Sequence, residues 1–234
     1  MRPLGLIGGT SWRSTSHYYG YINTAVNAHF GNNTNPPLFL ANVDQAAVHR
    51  SQAKGDWDAV ADLFTDAARR LEATGVEALM FCASTPHKVH DRVAREVSVP
   101  FLHIGDAIGR ALRGRGVSTA GFIGTRFSME SPFVTQRIGA ECGRVLVPQG
   151  DTVLEELQRI VRDELSMGRR VQSSVDYVVD VLEALVDRGA EGVVLGCTEF
   201  PAMLAGVDRG IRTFDALELH AQAAVEFVLG EGKG

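Results

Sequence analysis

Apolar residues follow two spacings that alternate along the chain. Short runs rich in branched residues are typical of buried strands, and the longer segments between them have the apolar spacing of helices. In the segment 57–73, for example, Val60, Phe64 and Leu71 fall on one helical stripe. The pattern predicts strands at 4–8, 38–43, 78–82, 101–104, 120–124, 144–147, 192–196 and 212–214. It predicts helices at 16–29, 57–73, 86–96, 106–112, 129–140, 152–167, 174–187 and 217–229.

The two halves of the sequence resemble each other. The stretch 5–10, Gly-Leu-Ile-Gly-Gly-Thr, matches 121–125, Gly-Phe-Ile-Gly-Thr, and the stretch 75–82 matches 189–197. In both halves a helix, a Gly-x-Glu turn and an apolar strand lead to a cysteine, and a threonine follows that cysteine within three residues. The repeat indicates two copies of one architecture.

Strands that alternate with helices form a mostly parallel sheet with helices on both faces. With the repeat, this predicts an α/β fold of two pseudosymmetric α/β/α domains, each with a mostly parallel four-stranded sheet. The first half spans residues 1–115 and carries Cys82, and the second spans 116–215 and carries Cys197. We expect the last helix, within 216–234, to pack back on the first half.

Cys82 and Cys197 are the strongest candidates for chemistry. Ligands of parallel α/β sheets bind beyond the carboxyl ends of the strands, where both cysteines are predicted to lie. A single free cysteine is most often a small buried hydrophobe, and Cys142, which has no counterpart in the other half, is interpreted in that way. The matched positions of the other two favour a shared role on opposite sides of one ligand.

Two thiols suit stereoinversion at a carbon beside a carboxylate. One thiolate removes a proton from one face of the carbon, and one thiol returns a proton to the other face, without a cofactor. Such a proton is weakly acidic, so the site must stabilise the developing enediolate with donors already in place. It must also provide one cysteine as the thiolate.

Several hydroxyl residues next to the predicted strand ends are candidates for binding the substrate. The loops at 8–11 and 124–126 each follow a first strand with glycine and then a hydroxyl residue. Thr85 is a candidate N-cap before Pro86, and amides at a helix start favour an anion. The predicted carboxylate-binding and amine-binding residues are Thr10, Ser11, Ser84, Thr85, Thr125 and Thr198.

Charged and imidazole side chains near these loops allow two interpretations each. Lys88 is placed to reach a carboxylate, or it is a solvated lysine. Arg126 is placed to bind a carboxylate with two hydrogen bonds, or it forms a structural ion pair. His87 and His103 either assist catalysis or, as is more common, orient neighbouring groups.

The composition excludes several classes of function. The 234 residues are 45% hydrophobic and 22% charged, with a formal net charge of −5, and no basic cluster is present for nucleic acid. No apolar run has the length of a membrane helix, and no signal peptide is recognisable, so we expect a cytoplasmic protein. Three separated cysteines predict neither a disulfide framework nor a zinc site.

Eight short motifs, taken together, resemble one known family. They are Gly-Leu-Ile-Gly-Gly-Thr-Ser-Trp at 5–12, Tyr-Tyr at 18–19, Ile-Asn at 22–23, Gly-Asp-Trp at 55–57, Pro-His-Lys-Val at 86–89, Leu-His-Ile at 102–104, Gly-Thr-Arg-Phe-Ser-Met-Glu at 124–130 and Gly-Cys-Thr-Glu at 196–199. The chain resembles the aspartate/glutamate racemase superfamily, in its amino-acid racemase branch. Glu199 after Gly-Cys-Thr resembles the aspartate-racemase-like members, and it is included among the substrate-binding candidates.

The resemblance implies racemisation of an amino acid, such as aspartate or glutamate, without pyridoxal phosphate or any other cofactor. It implies that Cys82 and Cys197 are the paired acid/base residues and that the protein is a homodimer. The expected partner is thus a small carboxylate or amino-acid substrate, with no nucleic acid, membrane or metal involved.

The sequence departs from the usual family pattern at the substrate end. Ala83 and Ser84 stand where the family usually has Thr and Asn, and Thr10 and Arg13 replace a common Met and Glu. These changes indicate an altered substrate preference. Two alternatives stay open: related Cα chemistry on a small dicarboxylate or hydantoin, by an isomerase or a decarboxylase-like enzyme, and a non-catalytic ligand-binding relative.

Overall fold

The protein is described here by a computed structural model covering residues 1–231. The chain forms two compact units, one made of Met1–His103 with residues 220–231, and one made of Ile104–Leu219. The first boundary therefore follows residue 103 and not residue 115, because the helix after it packs within the second unit. The second boundary follows residue 219, inside the last helix, and not residue 215.

The first unit contains a parallel sheet of three strands. They are β1 (Leu4–Gly8), β2 (Leu38–Asn42) and β3 (Ala78–Phe81), in the order β2-β1-β3. The predicted fourth strand at 101–104 is reduced to one parallel bridge between Leu79 and Phe101. A longer strand does not form because a helix already begins at Ile104.

The second unit contains a parallel sheet of four strands. They are β4 (Thr119–Ile123), β5 (Arg144–Leu146), β6 (Val193–Leu195) and β7 (Thr213–Asp215), in the order β5-β4-β6-β7. In both units the first strand lies between the second and the third. The same order in both units is the structural counterpart of the sequence repeat.

The helices surround these sheets. In chain order they are α1 (Trp12–Phe30), α2 (Gln45–Ala53), α3 (Trp57–Glu72), α4 (His90–Ala94), α5 (Ile104–Gly114), α6 (Arg126–Glu130), α7 (Pro132–Cys142), α8 (Asp151–Arg159), α9 (Gln172–Asp187), α10 (Phe200–Met203) and α11 (Ala216–Leu229). Within residues 1–231, no helix is long and apolar enough to cross a membrane.

Three predicted helices are interrupted, and two short ones were not predicted. A 3₁₀ turn at Thr85–Val89 precedes α4, and a π turn at Ile160–Glu164 follows α8. Ser131 separates α6 from α7 because it precedes a proline and is therefore extended, with φ −103° and ψ 129°. The helices α2 and α10 lie in segments where the apolar pattern predicted none.

Each unit has its own apolar core. The stripe predicted on α3 is buried, with Val60, Phe64 and Leu71 packed beside Leu79 and Phe81 of β3. In the second unit, strands β4 and β6 form the centre of a larger cluster that helices from both faces cover. The rigid centre of each sheet holds the carboxyl ends of the strands in place.

The helix α5 belongs to the second unit because it packs closely on α7. Gly109 permits this approach, since a Cβ atom there would lie 2.5 Å from Cβ of Glu141 and 2.9 Å from the carbonyl oxygen of Ile138. Two ion pairs join the same helices, Arg137 with Asp106 at 2.9 Å and Arg113 with Glu141 at 2.6 Å.

Candidate active site

Cys82 lies directly after β3 in the first unit. Its backbone N–H donates to the carbonyl of Ile7 at 2.9 Å, which continues the pairing of β3 with β1. The residue is only 1% exposed, and burial raises the pKa of its thiol well above the ordinary value. Cys82 is therefore a thiol in the free protein.

Buried side chains hold the three carbonyl groups that follow the β3 strand. The Ser14 hydroxyl donates to the Cys82 carbonyl at 2.8 Å. The His87 ring nitrogen Nδ1 lies 3.1 Å from both the Ala83 and the Ser84 carbonyl oxygens. Both partners are acceptors, so Nδ1 carries the proton. The backbone of residues 82–84 is therefore fixed by groups outside the turn.

The fixed carbonyl groups also set the direction of the next three amides. In a planar trans peptide the N–H points away from the C=O of the same unit. The N–H groups of Ala83, Ser84 and Thr85 therefore point away from Ser14 and His87, and none of them donates a hydrogen bond within residues 1–231. Successive free amides of this kind form an anion-binding turn. This turn lies directly beside Cys82.

His87 belongs to a cluster of four buried histidines within the first unit. Its ring centroid is 4.4 Å from that of His103 and 5.7 Å from that of His220, and the ring of His90 is 4.7 Å from that of His103. Burial, and then the neighbouring imidazoles, hold the pKa of His87 well below its ordinary value, so the ring is neutral. Across the described chain, no group of three or more such side chains is arranged to hold a metal ion.

The cluster is anchored to α1 and α11 by a chain of hydrogen bonds. The Tyr18 hydroxyl lies 2.9 Å from Nδ1 of His220, and Nε2 of His220 lies 2.8 Å from the carbonyl of Leu102. His220 is completely buried. The histidine cluster therefore packs beneath the turn after Cys82, and His87 is the member that hydrogen-bonds the backbone of this turn.

The loop between β1 and α1 lies beside this turn, because β1 pairs with β3. Ser11 caps α1 by accepting from the Ser14 N–H at 3.3 Å, and Thr15 accepts from the Gly9 N–H at 3.1 Å. Gly9 has φ +97°, and a side chain there would collide with the backbone of Val43. Of the two predicted binding residues here, Ser11 therefore uses its hydroxyl to cap the helix.

Thr10 has an unsatisfied hydroxyl in the same loop. Its Oγ1 atom is buried and finds no hydrogen-bond partner within residues 1–231. A buried hydroxyl without a partner carries a free-energy cost that a bound polar ligand removes. Thr10 is thus available to a ligand in a way that Ser11 is not.

Cys197 follows β6 in the second unit, at the position that corresponds to Cys82. Its Sγ donates to Oε2 of Glu199 at 2.9 Å, and the same oxygen accepts from the Thr198 hydroxyl at 2.7 Å. Burial, and then the charge of Glu199, raise the pKa of the Cys197 thiol, whereas the N–H groups of Glu199 and Thr198 act to lower it. Cys197 therefore has both a proton acceptor and thiolate-stabilising donors in contact.

The loop after β4 is occupied mainly by structural contacts. Thr125 caps α6 by accepting from the Ser128 N–H at 3.3 Å. The Arg126 guanidinium pairs with Glu130 at 2.8 Å, Asp151 at 3.0 Å and Glu155 at 3.2 Å. Of the two interpretations offered for Arg126, its observed contacts are those of a structural ion pair.

Lys88 also has a partner in the first unit. Its Nζ lies 4.7 Å from the centroid of the Trp57 ring, which is a cation–π contact.

The turn after Cys82 brings Ser84 and Thr85 next to the thiol, and the strand pairing adds Thr10. The residue that sequence reasoning missed is Ser14, whose contact with Cys82 joins positions 68 apart and leaves no local sequence signal.

Comparisons with known proteins agree on one family. Residues 7–224 match the family described as Asp/Glu/Hydantoin racemase. A Yersinia pestis structure assigned to the Asp/Glu racemases is 36% identical, with a TM-score of 0.93, and the match covers 98% of this chain and 100% of that one. An aspartate racemase homologue from Pyrococcus horikoshii OT3 is 31% identical, with a TM-score of 0.82 and coverage of 98% and 100%.

A more distant likeness shows the fold alone. Arylmalonate decarboxylase is 15% identical, with a TM-score of 0.56, and the match covers 99% of this chain and 93% of that one. The shared architecture therefore serves more than one reaction, and the residues at the strand ends must decide between them.

Proposed function

Because the chain belongs to the Asp/Glu/hydantoin racemase family, we propose that it racemises or epimerises an amino acid without a cofactor, using Cys82 and Cys197 as the two acid/base residues. The observation that carries the proposal is the matched pair of strand ends. Each unit has a cysteine within two residues of the end of the third strand of its sheet. A binding protein or an enzyme with one thiol would need only one of them.

The proposed reaction exchanges one proton on each face of Cα. One cysteine, as a thiolate, takes the Cα proton and becomes a thiol. The other cysteine, as a thiol, gives its proton to the opposite face and becomes a thiolate. The product is the mirror-image amino acid, and the two sulfurs have exchanged protonation states, so the reverse reaction uses the same two groups.

The contacts of the two thiols give them different means of ionisation. Cys197 donates to Glu199, so transfer of its proton to that carboxylate produces the thiolate, and the adjacent amides stabilise it. Burial is the only cause acting on the pKa of Cys82, and burial and the Glu199 charge also raise the pKa of Cys197, so both residues start as thiols. We propose that Cys197 is the first of the two to form a thiolate, when Glu199 takes its proton during the reaction.

The free amides after Cys82 supply the donors that stabilise the developing enediolate. Abstraction of the Cα proton moves negative charge onto the substrate carboxylate, and fixed donors stabilise that charge more than they stabilise the ground state. The N–H groups of Ala83, Ser84 and Thr85 are such donors, and the Thr10 hydroxyl adds another. We assign the substrate carboxylate to this turn.

The substrate proposed first is an acidic amino acid, aspartate or glutamate. The similarity to the Yersinia and Pyrococcus proteins supports it, and the replacements at Ala83 and Ser84 make a related side chain the alternative. We further propose a cytoplasmic location, since free thiols of this kind persist in a reducing compartment. A homodimer is proposed from the family resemblance alone.

The test follows Cα-proton exchange by NMR in deuterated water, with single enantiomers of aspartate, glutamate and other amino acids. We expect racemisation with exchange for the wild type. Cys82→Ser and Cys197→Ser should each lose racemisation but retain exchange from one enantiomer, because the remaining thiol reaches one face. Cys142→Ser is the matched control, since Cys142 lies in the core of the second unit.

Two outcomes would overturn the proposal. Full racemisation by either single variant would exclude the two-base mechanism. Binding of amino acids, measured by calorimetry, without any Cα exchange in the wild type would identify a ligand-binding relative.

A further inference from the structure

Three buried side-chain atoms have no hydrogen-bond partner in the part of the chain that the structure describes. They are Oγ1 of Thr10, Nε2 of Gln52 and Oε2 of Glu164. A buried polar group without a partner costs free energy, and such groups are rare in folded proteins. Thr10 already has a proposed role, and Glu164 has partners on its other oxygen. Gln52 is left, and its side chain makes no hydrogen bond to any described residue.

The helix α2, which carries Gln52, crosses the carboxyl end of β1. It begins shortly after β2 ends, and Trp57, just beyond its last residue, contacts Lys88 in the turn after β3. Because β1 lies between β2 and β3, a helix that leads from the one to the other passes over the loop after β1. Thr10 lies in that loop.

Gln52 lies on the face of α2 that is turned toward the strands. Val48 is fully buried in the core cluster that also contains Ile7 of β1. Residues four positions apart share a face of a helix, so Gln52 lies one turn beyond Val48 on this face. Since its amide nitrogen is buried too, that nitrogen lies between α2 and the strand ends, where Thr10 has its own unsatisfied hydroxyl.

The charges of α2 favour an anion as the ligand of this amide. The segment 45–55 contains Arg50 and Lys54 but no acidic residue. Each cation is two positions from Gln52, about 200° around the helix, and both line a groove on the outer side with Asp62 of α3. They are therefore not direct donors on the inner side, but their charge favours a carboxylate there over an ammonium group.

We propose that Gln52 is a specificity-determining residue whose side-chain amide donates to the second carboxylate of an acidic substrate. The inference rests on the proposed function, in which the amides after Cys82 and the Thr10 hydroxyl hold the first carboxylate. A substrate without a second carboxylate leaves the Gln52 amide buried and unpaired, whereas an acidic one satisfies it. A site built in this way rejects the substrate that lacks the polar group.

Calorimetric titration with succinate and with butyrate tests this selectivity, because a carboxylate in the first replaces a methyl group in the second. We expect the wild type to bind succinate about tenfold or more tightly than butyrate, and Gln52→Leu to lose most of this preference. Gln52→Glu keeps the size of the side chain but repels the second carboxylate, so it should favour butyrate. Gln222→Leu is the matched control, since Gln222 is an exposed glutamine on α11 in the same unit, and it should keep the wild-type ratio.

Urea unfolding without ligand separates a binding role from a structural one. Because Nε2 of Gln52 has no protein partner, Gln52→Leu should raise the urea midpoint or leave it unchanged while the selectivity is lost. A lower midpoint in Gln52→Leu would assign the amide to the fold and overturn the proposal. A wild type without a preference for succinate, or a preference that both Gln52 variants retain, would also overturn it. None of these measurements uses turnover, so a failure of the racemase reaction is recognised separately, by the absence of Cα exchange.

Discussion

Glu199→Gln should change the reactivity of Cys197 and the turnover of the enzyme in opposite directions. Glutamine keeps the size of the side chain and an oxygen near Sγ, but it removes the negative charge and cannot accept a proton. The carboxylate raises the pKa of the Cys197 thiol, so its removal lowers that pKa and increases the thiolate. If Glu199 also receives the thiol proton during the reaction, the same substitution slows racemisation.

The 2.9 Å distance from Sγ to Oε2 sets the size of the electrostatic effect. Coulomb's law at this distance gives about 1.4 kcal/mol with the dielectric constant of water, which is the fully screened lower limit. That energy corresponds to about tenfold more thiolate at a pH below the pKa. The less basic thiolate is about threefold less nucleophilic, so the alkylation rate should rise about threefold or more.

Alkylation by iodoacetamide, followed peptide by peptide with mass spectrometry, measures this rate for each cysteine. Cys142, in the same unit, serves as the internal reference. Racemisation of the best substrate is measured on the same preparations, and loss of a general base should lower kcat about 100-fold or more. Glu183→Gln is the control variant, because Glu183 is an exposed carboxylate on α9 and should change neither rate.

Each readout has its own contradicting result. An unchanged alkylation rate at Cys197 would mean that the contact with Glu199 does not exist in solution. A raised alkylation rate with wild-type kcat would mean that Glu199 is not the proton acceptor, and the proposed route to the thiolate would fail.

Three further predictions concern the supports of the site. His87→Leu should lower the free energy of unfolding by about 1–3 kcal/mol in urea titrations and should lower kcat, because two carbonyls lose their donor. His87→Asn retains a donor near the position of Nδ1 and should recover part of both losses. Equal losses in the two variants would contradict the positioning role. Below pH 6.5 His87 is protonated in the unfolded chain but stays neutral in the folded protein. As the pH is lowered below 6.5, this group should therefore reduce the free energy of unfolding by about 1.4 kcal/mol per pH unit, and this pH dependence should weaken in His87→Asn. Gly109→Ala should destabilise the second unit by about 1–3 kcal/mol. Gly139→Ala on α7 should stabilise it by about 0.5–1 kcal/mol, because the added Cβ would meet only Val145 Cγ2 at 3.8 Å. Shifts of the thermal midpoint in the same direction for both variants would refute the packing argument.

Most of the architecture could be predicted from the sequence because it depends on local order. Apolar spacing is set by the period of the element, so strands such as β1 and the buried stripe of α3 are visible in the chain itself. The repeat places a cysteine at the end of the third strand of each unit for the same reason. The interrupted helices escaped prediction, since the apolar spacing continues across Ser131 although the backbone turns there.

The distant partners of the polar side chains were decided by the tertiary structure alone. Nothing near Ser14 in the chain indicates Cys82 as its acceptor, and nothing near Arg126 distinguishes an ion pair with three carboxylates from a substrate contact. The Ser14 contact and the Arg126 ion pairs with Asp151 and Glu155 join residues far apart in the chain, and the packing of the elements determines which of them meet. The sequence by itself therefore determined where each thiol stands along the chain, and only the folded chain determined which distant groups hold the backbone beside Cys82.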